Sequence, residues 1–364
     1  MKVFLNFCVL IFILGLTLIV SDSVLKWYLK IPYTPEARGI IQWRKDALPG
    51  KRLKPNLKTS VSGAFNEYKY TVTTDENGFR NSNQDNQGPI AVVFLGDSQT
   101  YGVGVNDQET FASHVETLIN RPVLNTACPG YNNIEQLELT DEVLKKYRPK
   151  YLVLCFFAGN DLFENYSNRF KLQNGAAADV SVPKKESGIT NFKNYISKNS
   201  AIYNLLIRLR RFEFMNQLFY KLKLVNLEPP NELIAFLAGD DPEKEKFWRV
   251  TDQVLTEIKQ KADQNQTNLI IVLLPDRYQV EDKYWDQWVE KYHLDPAKYD
   301  RLAPNRHLLR FCEQMRVPCV DTTEALRGVA SNGQAAYWPI DSHLNALGHQ
   351  TVAQVIAEHL KYAE

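Results

Sequence analysis

Residues 92–102 read VVFLGDSQTYG, and this stretch decides the fold. Four apolar residues that favour β-structure come first, then a glycine, then a short polar turn that opens a helical pattern. The order predicts a buried strand that runs directly into a helix, with Ser98 at the carboxyl end of the strand. Ligands bind at that edge in open α/β sheets. Ser98 is therefore the first candidate nucleophile, and a simple helix cap at Asp97 and Ser98 is the structural alternative.

Further strand and helix patterns alternate along the chain. Apolar runs without polar alternation are typical of strands that are buried on both faces, as in a parallel sheet covered by helices. We therefore expect an α/β fold, a three-layer sandwich around a central, mostly parallel sheet. The predicted strands are IAVVFLG, PVLNTA, YLVLCFFAG, NLIIVLLPD and residues 317–321, with helices near Thr110 to Asn120, near Ile134 to Tyr147 and after residue 348.

A serine is a weak nucleophile at neutral pH, so a reactive site also needs a base, an orienting acid and oxyanion donors. The stretch PIDSHLNALGH near the C-terminus supplies Asp341 and His343. Gly130 lies in the loop NTACPGYNN, and Asn160 follows a strand pattern in AGND. A histidine suits both proton steps because its reference pKa is about 6.5. His349, slightly further along, is a second candidate base.

These pieces occur in an order that resembles the SGNH hydrolases, also called the GDSL esterase/lipase superfamily. Gly-Asp-Ser at residues 96–98 comes first, followed by a loop glycine, Gly-Asn-Asp, and an Asp-x-His near the end. The resemblance covers about Ile90 to Leu360. One departure is that only Ser342 separates Asp341 from His343, where many members of the family have two residues between acid and base.

The resemblance implies a flavodoxin-like SGNH fold and a role for each matching residue. Ser98 is then the nucleophile, His343 the base, and Asp341 the acid that orients it. The backbone N–H of Ser98, together with Gly130 and Asn160, is then the oxyanion hole. The implied activity is that of a serine esterase that hydrolyses carboxylic esters, and we expect an acetyl or another small acyl group on a sugar or exported glycan.

Two other functions fit the same residues. An O-acyltransferase acting on envelope polysaccharide would use the same triad with a sugar as acceptor. A non-catalytic, glycan-binding component would keep the fold and lose the chemistry. We expect no cofactor and no metal, since no Cys/His spacing is typical of a zinc site. Nucleic acid is not an expected partner, because 43 Lys and Arg residues balance 42 Asp and Glu residues.

The N-terminal segment differs in kind from the rest of the chain. After Met1 and Lys2, the stretch Val3 to Val20 is almost entirely apolar. A bilayer-spanning helix needs about 17 to 25 such residues, whereas a signal peptide has an apolar core of about 7 to 15. We therefore predict an uncleaved membrane anchor over residues 1–24, with a signal peptide as the alternative. The globular part is expected outside the cytoplasm, in the periplasm or at the cell surface.

Two further segments complete the predicted organisation. Residues 25–88 contain the alternating run EYKYTVTTDENGFR, which predicts a juxtamembrane stretch and a small β addition with a turn at Asn77-Gly78. Residues 89–364 form the hydrolase-like domain, and residues 162–251 within it are too long for an ordinary connection. This insertion begins beside Asn160, so we expect a lid, an acceptor-binding wall or a membrane-surface contact. A helix packed on its own domain is the alternative.

Overall fold

The computed structural model describes residues 2–29, 39–44, 48–63, 67–80, 88–172, 200–209 and 229–362, together with residues 196, 215, 218–219 and 221–222. The chain divides into two compact units. The smaller unit comprises Met1–Gly39 and Ser181–Asn226, and the larger comprises Ile40–Val180 and Leu227–Glu364. All candidate site residues belong to the larger unit.

The described strands form one large sheet and two hairpins. Two antiparallel pairs, β1 with β2 and β3 with β4, precede the large sheet in the chain. We call residues 40–80, which contain these hairpins, the β addition. The large sheet has the order β6-β5-β7-β8-β9, and all its strands are parallel. The strands are β1 (Ile41–Trp43), β2 (Lys51–Leu53), β3 (Lys58–Ser62), β4 (Lys69–Thr73), β5 (Val92–Leu95), β6 (Val123–Asn125), β7 (Tyr151–Phe157), β8 (Asn268–Leu274) and β9 (Cys319–Asp321).

The described helices lie mostly between and after the strands of the large sheet. Short 3-10 helices cover Asp107–Glu109, Arg169–Leu172, Asn231–Phe236 and Pro296–Lys298. The α-helices are α1 (Lys2–Leu29), α2 (Ser98–Tyr101), α3 (Phe111–Ile119), α4 (Asn133–Tyr147), α5 (Asp161–Asn168), α6 (Ala201–Leu209), α7 (Pro242–Gln264), α8 (Arg277–Val280), α9 (Asp282–Tyr292), α10 (Ala303–Met315), α11 (Thr323–Ser331) and α12 (Ala346–Tyr362).

The large sheet is covered on both faces, and β5 shows how. Its side chains alternate between two apolar clusters because successive strand residues point to opposite faces. Val92 and Phe94 pack in the cluster that contains residues of α3 and α12. Val93 and Leu95 pack in the cluster that contains residues of α4 and α7. The predicted three-layer α/β architecture is confirmed, and the carboxyl ends of its parallel strands form one edge.

The end of the predicted insertion is part of the layered fold. Helix α7 begins at Pro242, and the Asp241 side chain caps it by accepting hydrogen bonds from the Glu243 and Lys244 N–H groups. The helix packs against α4 and α5 and buries Trp248 and Leu255. Residues 242–251 therefore begin a helix that lies between β7 and β8 in the chain and packs on the large sheet.

The smaller unit pairs the N-terminal helix with part of the insertion. Helix α6 contacts α1, and the Asp22 carboxylate accepts hydrogen bonds from the Ser200 hydroxyl and the Ile202 N–H, each at 2.9 Å. Asp22 thereby caps the start of α6. Among the helices that the structure describes, none combines the length and the apolar character that crossing a membrane requires. The anchor expected over residues 1–24 stays a prediction.

Candidate active site

Ser98 lies in a tight turn between β5 and α2. A Cβ atom at Gly96 would overlap the side chain of Thr100, so the close approach of strand and helix requires glycine there. Asp97 caps α2 by accepting a hydrogen bond from the Gln99 N–H at 2.9 Å. Ser98 is the first helical residue, and its side chain is partly exposed. Asp97 therefore supplies the helix cap, and Ser98 is the first residue of α2.

The structure brings Ser98, His343 and Asp341 together, although 245 residues separate the first two in the chain. Nε2 of His343 lies 2.9 Å from Oγ of Ser98. Nδ1 of the same ring is hydrogen-bonded to Oδ1 of Asp341. The His343 side chain is 24% exposed and that of Asp341 is 10% exposed, so the pair is shielded but open to a substrate. A nucleophile, a base and an acid therefore form one continuous chain of hydrogen bonds.

A tight turn explains why a single residue between acid and base is enough. Ser342 has a φ of +64°, in the left-handed region, which reverses the backbone between Asp341 and His343. The turn closes through a hydrogen bond from the Trp338 N–H to the His343 carbonyl at 2.8 Å. The Leu344 N–H donates to the Gln99 side chain at 3.1 Å and ties the turn to α2.

His349, the alternative base, lies elsewhere. Its side chain is buried, and Nδ1 accepts a hydrogen bond from the Phe111 N–H at 3.1 Å. The ring centroids of His349 and Phe111 are 5.3 Å apart, so His349, which lies on α12, packs against α3. Burial holds the pKa of His349 well below the usual value for histidine, and the charge of Arg80 lowers it further. The ring is a neutral core residue, and His343 is the histidine at Ser98.

The two predicted oxyanion donors follow the strands that flank β5. Gly130 comes after β6, has a φ of +76°, and its carbonyl accepts a hydrogen bond from Nζ of Lys51. Asn160 comes after β7, directly before α5, and its Nδ2 donates to Oε1 of Glu164 at 3.2 Å. Both residues thus lie at the carboxyl edge of the sheet, as Ser98 does, because β6 and β7 are the neighbours of β5.

Carboxyl groups are buried behind this edge. Oδ2 of Asp161 accepts hydrogen bonds from the Phe157 N–H at 2.9 Å and from the Asn133 amide at 3.2 Å. Burial raises the pKa of Asp97 and of Asp161, and the charge of Asp97 raises that of Asp161 further. Burial also raises the pKa of Glu164 to about 8. Burial therefore disfavours the charged form of each of these carboxyl groups.

Three charged residues at the site carry no signal in the sequence. The Glu67 carboxylate accepts hydrogen bonds from two backbone N–H groups, those of residues 340 and 341, in the turn that carries Asp341 and His343. Arg277 donates to the carbonyls of residues 338 and 339, at 3.2 and 2.8 Å. Lys51 contacts the Gly130 loop. Their partners are 61 to 274 residues away in the chain, beyond the reach of any local pattern.

The chain is similar to a known protein family and to several solved structures. The chain matches the model of the GDSL-like Lipase/Acylhydrolase family over residues 94–351. TesA shares 12% identity and a TM-score of 0.40, over 75% of this chain and 98% of TesA. A GDSL-like lipase from Bacteroides thetaiotaomicron shares 10% identity and a TM-score of 0.38, over 75% of this chain and 89% of the lipase.

A third similar structure is a two-domain esterase active on acetylated mannans, with 12% identity and a TM-score of 0.39, over 75% of this chain and 49% of the esterase. Comparison with curated proteins gives no match. The family model spans well over half of the 364 residues. Its range includes Ser98, Gly130, Asn160, Asp341 and His343. The chain therefore belongs to the GDSL-like lipase/acylhydrolase family, the SGNH hydrolases, whose members act on ester bonds.

Proposed function

We propose that the protein hydrolyses carboxylic esters through an acyl-enzyme on Ser98. The observation that carries the proposal is the chain of hydrogen bonds from Ser98 through His343 to Asp341. A serine hydroxyl within 3 Å of an imidazole nitrogen, whose second nitrogen meets a carboxylate, is the arrangement that activates serine in hydrolases.

In the first half-reaction Oγ of Ser98 attacks the acyl carbon while Nε2 of His343 takes the hydroxyl proton. The imidazolium then donates this proton to the leaving alcohol, and the acyl-enzyme remains. In the second half-reaction His343 takes a proton from water, the resulting hydroxide attacks the acyl carbon, and Ser98 leaves with the proton restored. Asp341 holds the imidazole tautomer that keeps Nε2 unprotonated and favours the imidazolium electrostatically.

The tetrahedral intermediates need donors for the oxyanion. We assign this role to the backbone N–H groups of Ser98 and Gly130 and to the Asn160 side-chain amide. The Asn160 Nδ2 carries two N–H groups, and Glu164 accepts one of them. The other is available to the substrate oxygen. Loss of one such donor typically lowers kcat by about 100- to 1000-fold.

The proposed substrate is a small acyl group, with acetyl as the first choice, on a sugar or exported glycan. Support comes from the segment that follows β8 at the same edge of the sheet as Ser98. None of the residues of α9 is fully buried, and the helix carries Trp288 and Tyr292. The rings of Trp288 and Tyr278 contact each other at a tilt of 37°, with centroids 3.5 Å apart. Aromatic faces bordered by carboxylates are suited to sugar rings.

The test is hydrolysis of p-nitrophenyl acetate and release of acetate from acetylated oligosaccharides. We expect turnover of both by the wild type and none above background by Ser98→Ala. Formation of an acylated sugar when an unmodified oligosaccharide is added would instead favour the O-acyltransferase. Binding of the oligosaccharide without any turnover would favour the non-catalytic, glycan-binding function.

We also propose that the catalytic domain lies outside the cytoplasm, held at the membrane by residues 1–24. Support comes from the apolar stretch Val3 to Val20 in the sequence. The measurement is fractionation of cells that express the full chain. Retention in the membrane pellet after carbonate extraction is expected, whereas a mature N-terminus near Asp22 or Val24 would show signal-peptide cleavage.

A further inference from the structure

The β addition lies outside the range that matches the family model, yet it contacts three segments of the active site. The matched range begins at residue 94, and the β addition comprises residues 40–80. Three of its charged side chains, Lys51, Glu67 and Arg80, are hydrogen-bonded to the backbone of three separate catalytic segments. Each segment belongs to the same compact unit as the β addition.

Glu67 binds the turn that carries the acid and the base. One carboxylate oxygen accepts from the Ile340 N–H at 2.6 Å and the other from the Asp341 N–H at 3.0 Å. Arg277 donates hydrogen bonds to the carbonyls of the two preceding residues, Trp338 and Pro339. Three consecutive peptide groups, from the Trp338 carbonyl to the Asp341 N–H, are thus fixed just before Ser342. The left-handed backbone of Ser342 is unfavourable for a residue other than glycine.

Lys51 binds the loop of the predicted oxyanion donor. Its Nζ donates to the Gly130 carbonyl and lies 3.7 Å from the Glu135 carboxylate. The Tyr131 hydroxyl donates back to the Lys51 carbonyl at 2.5 Å. The loop between β6 and α4 is therefore tied to β2 by two hydrogen bonds in opposite directions.

Arg80 binds the segment that follows the nucleophile. The guanidinium is buried, and Nη1 donates to the carbonyls of Tyr101 and Gly102, each at 2.7 Å. Nε of Arg80 donates to Asp107 at 2.8 Å. These bonds satisfy carbonyl groups at the end of α2, which is only four residues long and begins with Ser98.

We infer that the β addition positions the active site, with Glu67 and Lys51 as positioning residues for the Asp341–His343 turn and for the Gly130 loop. This inference rests on the proposed function. The hydrogen bonds described above hold the backbone of the segments that carry the reacting groups. Small displacements of catalytic groups can cost about 100-fold in rate.

The test compares Glu67→Gln with the wild type in steady-state hydrolysis of p-nitrophenyl acetate. Glutamine offers one oxygen and one NH₂ group, so one of the two backbone N–H groups loses its acceptor. We expect kcat to fall at least about tenfold while KM stays within about twofold, because the turn is displaced and the acyl-binding surface is not. Glu76→Gln, an exposed glutamate in the same β addition, is the matched control and should keep wild-type kcat.

Circular dichroism and urea midpoints show what fraction of each variant is folded, and kcat is expressed per folded molecule. A kcat of Glu67→Gln within twofold of the wild type overturns the inference. If Glu67→Gln does not fold, Lys51→Met decides by the same criterion, with the exposed Lys58→Met as its control. If the wild type hydrolyses no ester, the proposed function fails and this inference fails with it, a result distinct from an active wild type with unaffected variants.

Discussion

Ser342 shows how one backbone conformation sets the spacing of acid and base. With a φ of +64°, it turns the chain sharply enough for Asp341 to reach Nδ1 of His343 across a single residue. Glycine adopts this conformation freely, whereas a β-branched side chain is strongly disfavoured there.

We therefore expect Ser342→Gly to keep kcat within about twofold, and Ser342→Val to lower kcat at least about tenfold, with a destabilisation of about 1–2 kcal/mol. Steady-state kinetics and urea unfolding of the two variants provide the measurement. Wild-type kcat in Ser342→Val would show that the left-handed turn is not needed for the alignment.

At the scale of single residues, the sequence identifies the polar groups but not their partners. Ser98, Asp341 and His343 stand out because each lies in a polar turn at the end of an element. The choice between His343 and His349 is not decidable from the sequence, since only their contacts and burial in the folded chain distinguish them. His349 is enclosed between α3 and α12, and only the folded structure shows this.

At the scale of elements, α5 places the partly buried carboxyl group of Glu164 beside Asn160. Burial, and then the charge of Asp97, raises the pKa of Glu164 from an ordinary 4.5 to about 8. Lys51 lowers it, and Glu135 and Glu232 raise it. Between pH 4.5 and pH 8 the folded protein therefore keeps a proton on Glu164 that the unfolded chain has released. The resulting contribution to stability is complete below pH 4.5 and is lost as the pH rises through 8.

We predict that Glu164→Gln loses less stability than the wild type between pH 5 and pH 9, by roughly 1–2 kcal/mol after allowance for partial exposure of the side chain. Urea unfolding across this pH range gives the comparison. Glu313→Gln, at an exposed position on α10, is the control and should follow the wild type. Parallel curves for Glu164→Gln and the wild type would contradict the raised pKa.

The strands of the sheet and the helices that cover it are largely predictable, because burial requires apolar residues at regular positions in their sequences. Strand β8 falls within NLIIVLLPD, and α4 begins one residue before its predicted start. The end of the insertion is not predictable in the same way. Helix α7 begins with the charged run PEKEKFWR, and its buried stripe of Phe247, Trp248 and Thr251 becomes evident only against α4 and α5.

At the scale of the whole molecule, the middle of the insertion is separate from the proposed chemistry. Residues 181–226 group with the N-terminal helix, whereas every residue with a proposed chemical role lies in the larger unit. Replacing these residues with a short linker should keep kcat/KM for p-nitrophenyl acetate within about tenfold, an allowance of roughly 1.4 kcal/mol in barrier. Activity on an acetylated oligosaccharide should fall further. Equal losses on both substrates in a folded variant would show that the segment supports the catalytic geometry.

The long-range contacts of the β addition also belong to this scale. Nothing in the sequence around Glu67 indicates a partner 273 residues away. Such pairs arise from the way the sheet brings distant loops to one edge, so they follow from the tertiary fold and not from local pattern.

The central claim is that Ser98 is the acyl acceptor activated by His343. The most direct measurement is mass spectrometry of the protein after reaction with a fluorophosphonate, which labels activated serines covalently. We predict one adduct per chain, located on the peptide that contains Ser98, absent in Ser98→Ala, strongly slowed in His343→Ala and formed at near wild-type rate in folded His349→Ala. An adduct on another residue, or equal labelling of His343→Ala and the wild type, would contradict the account.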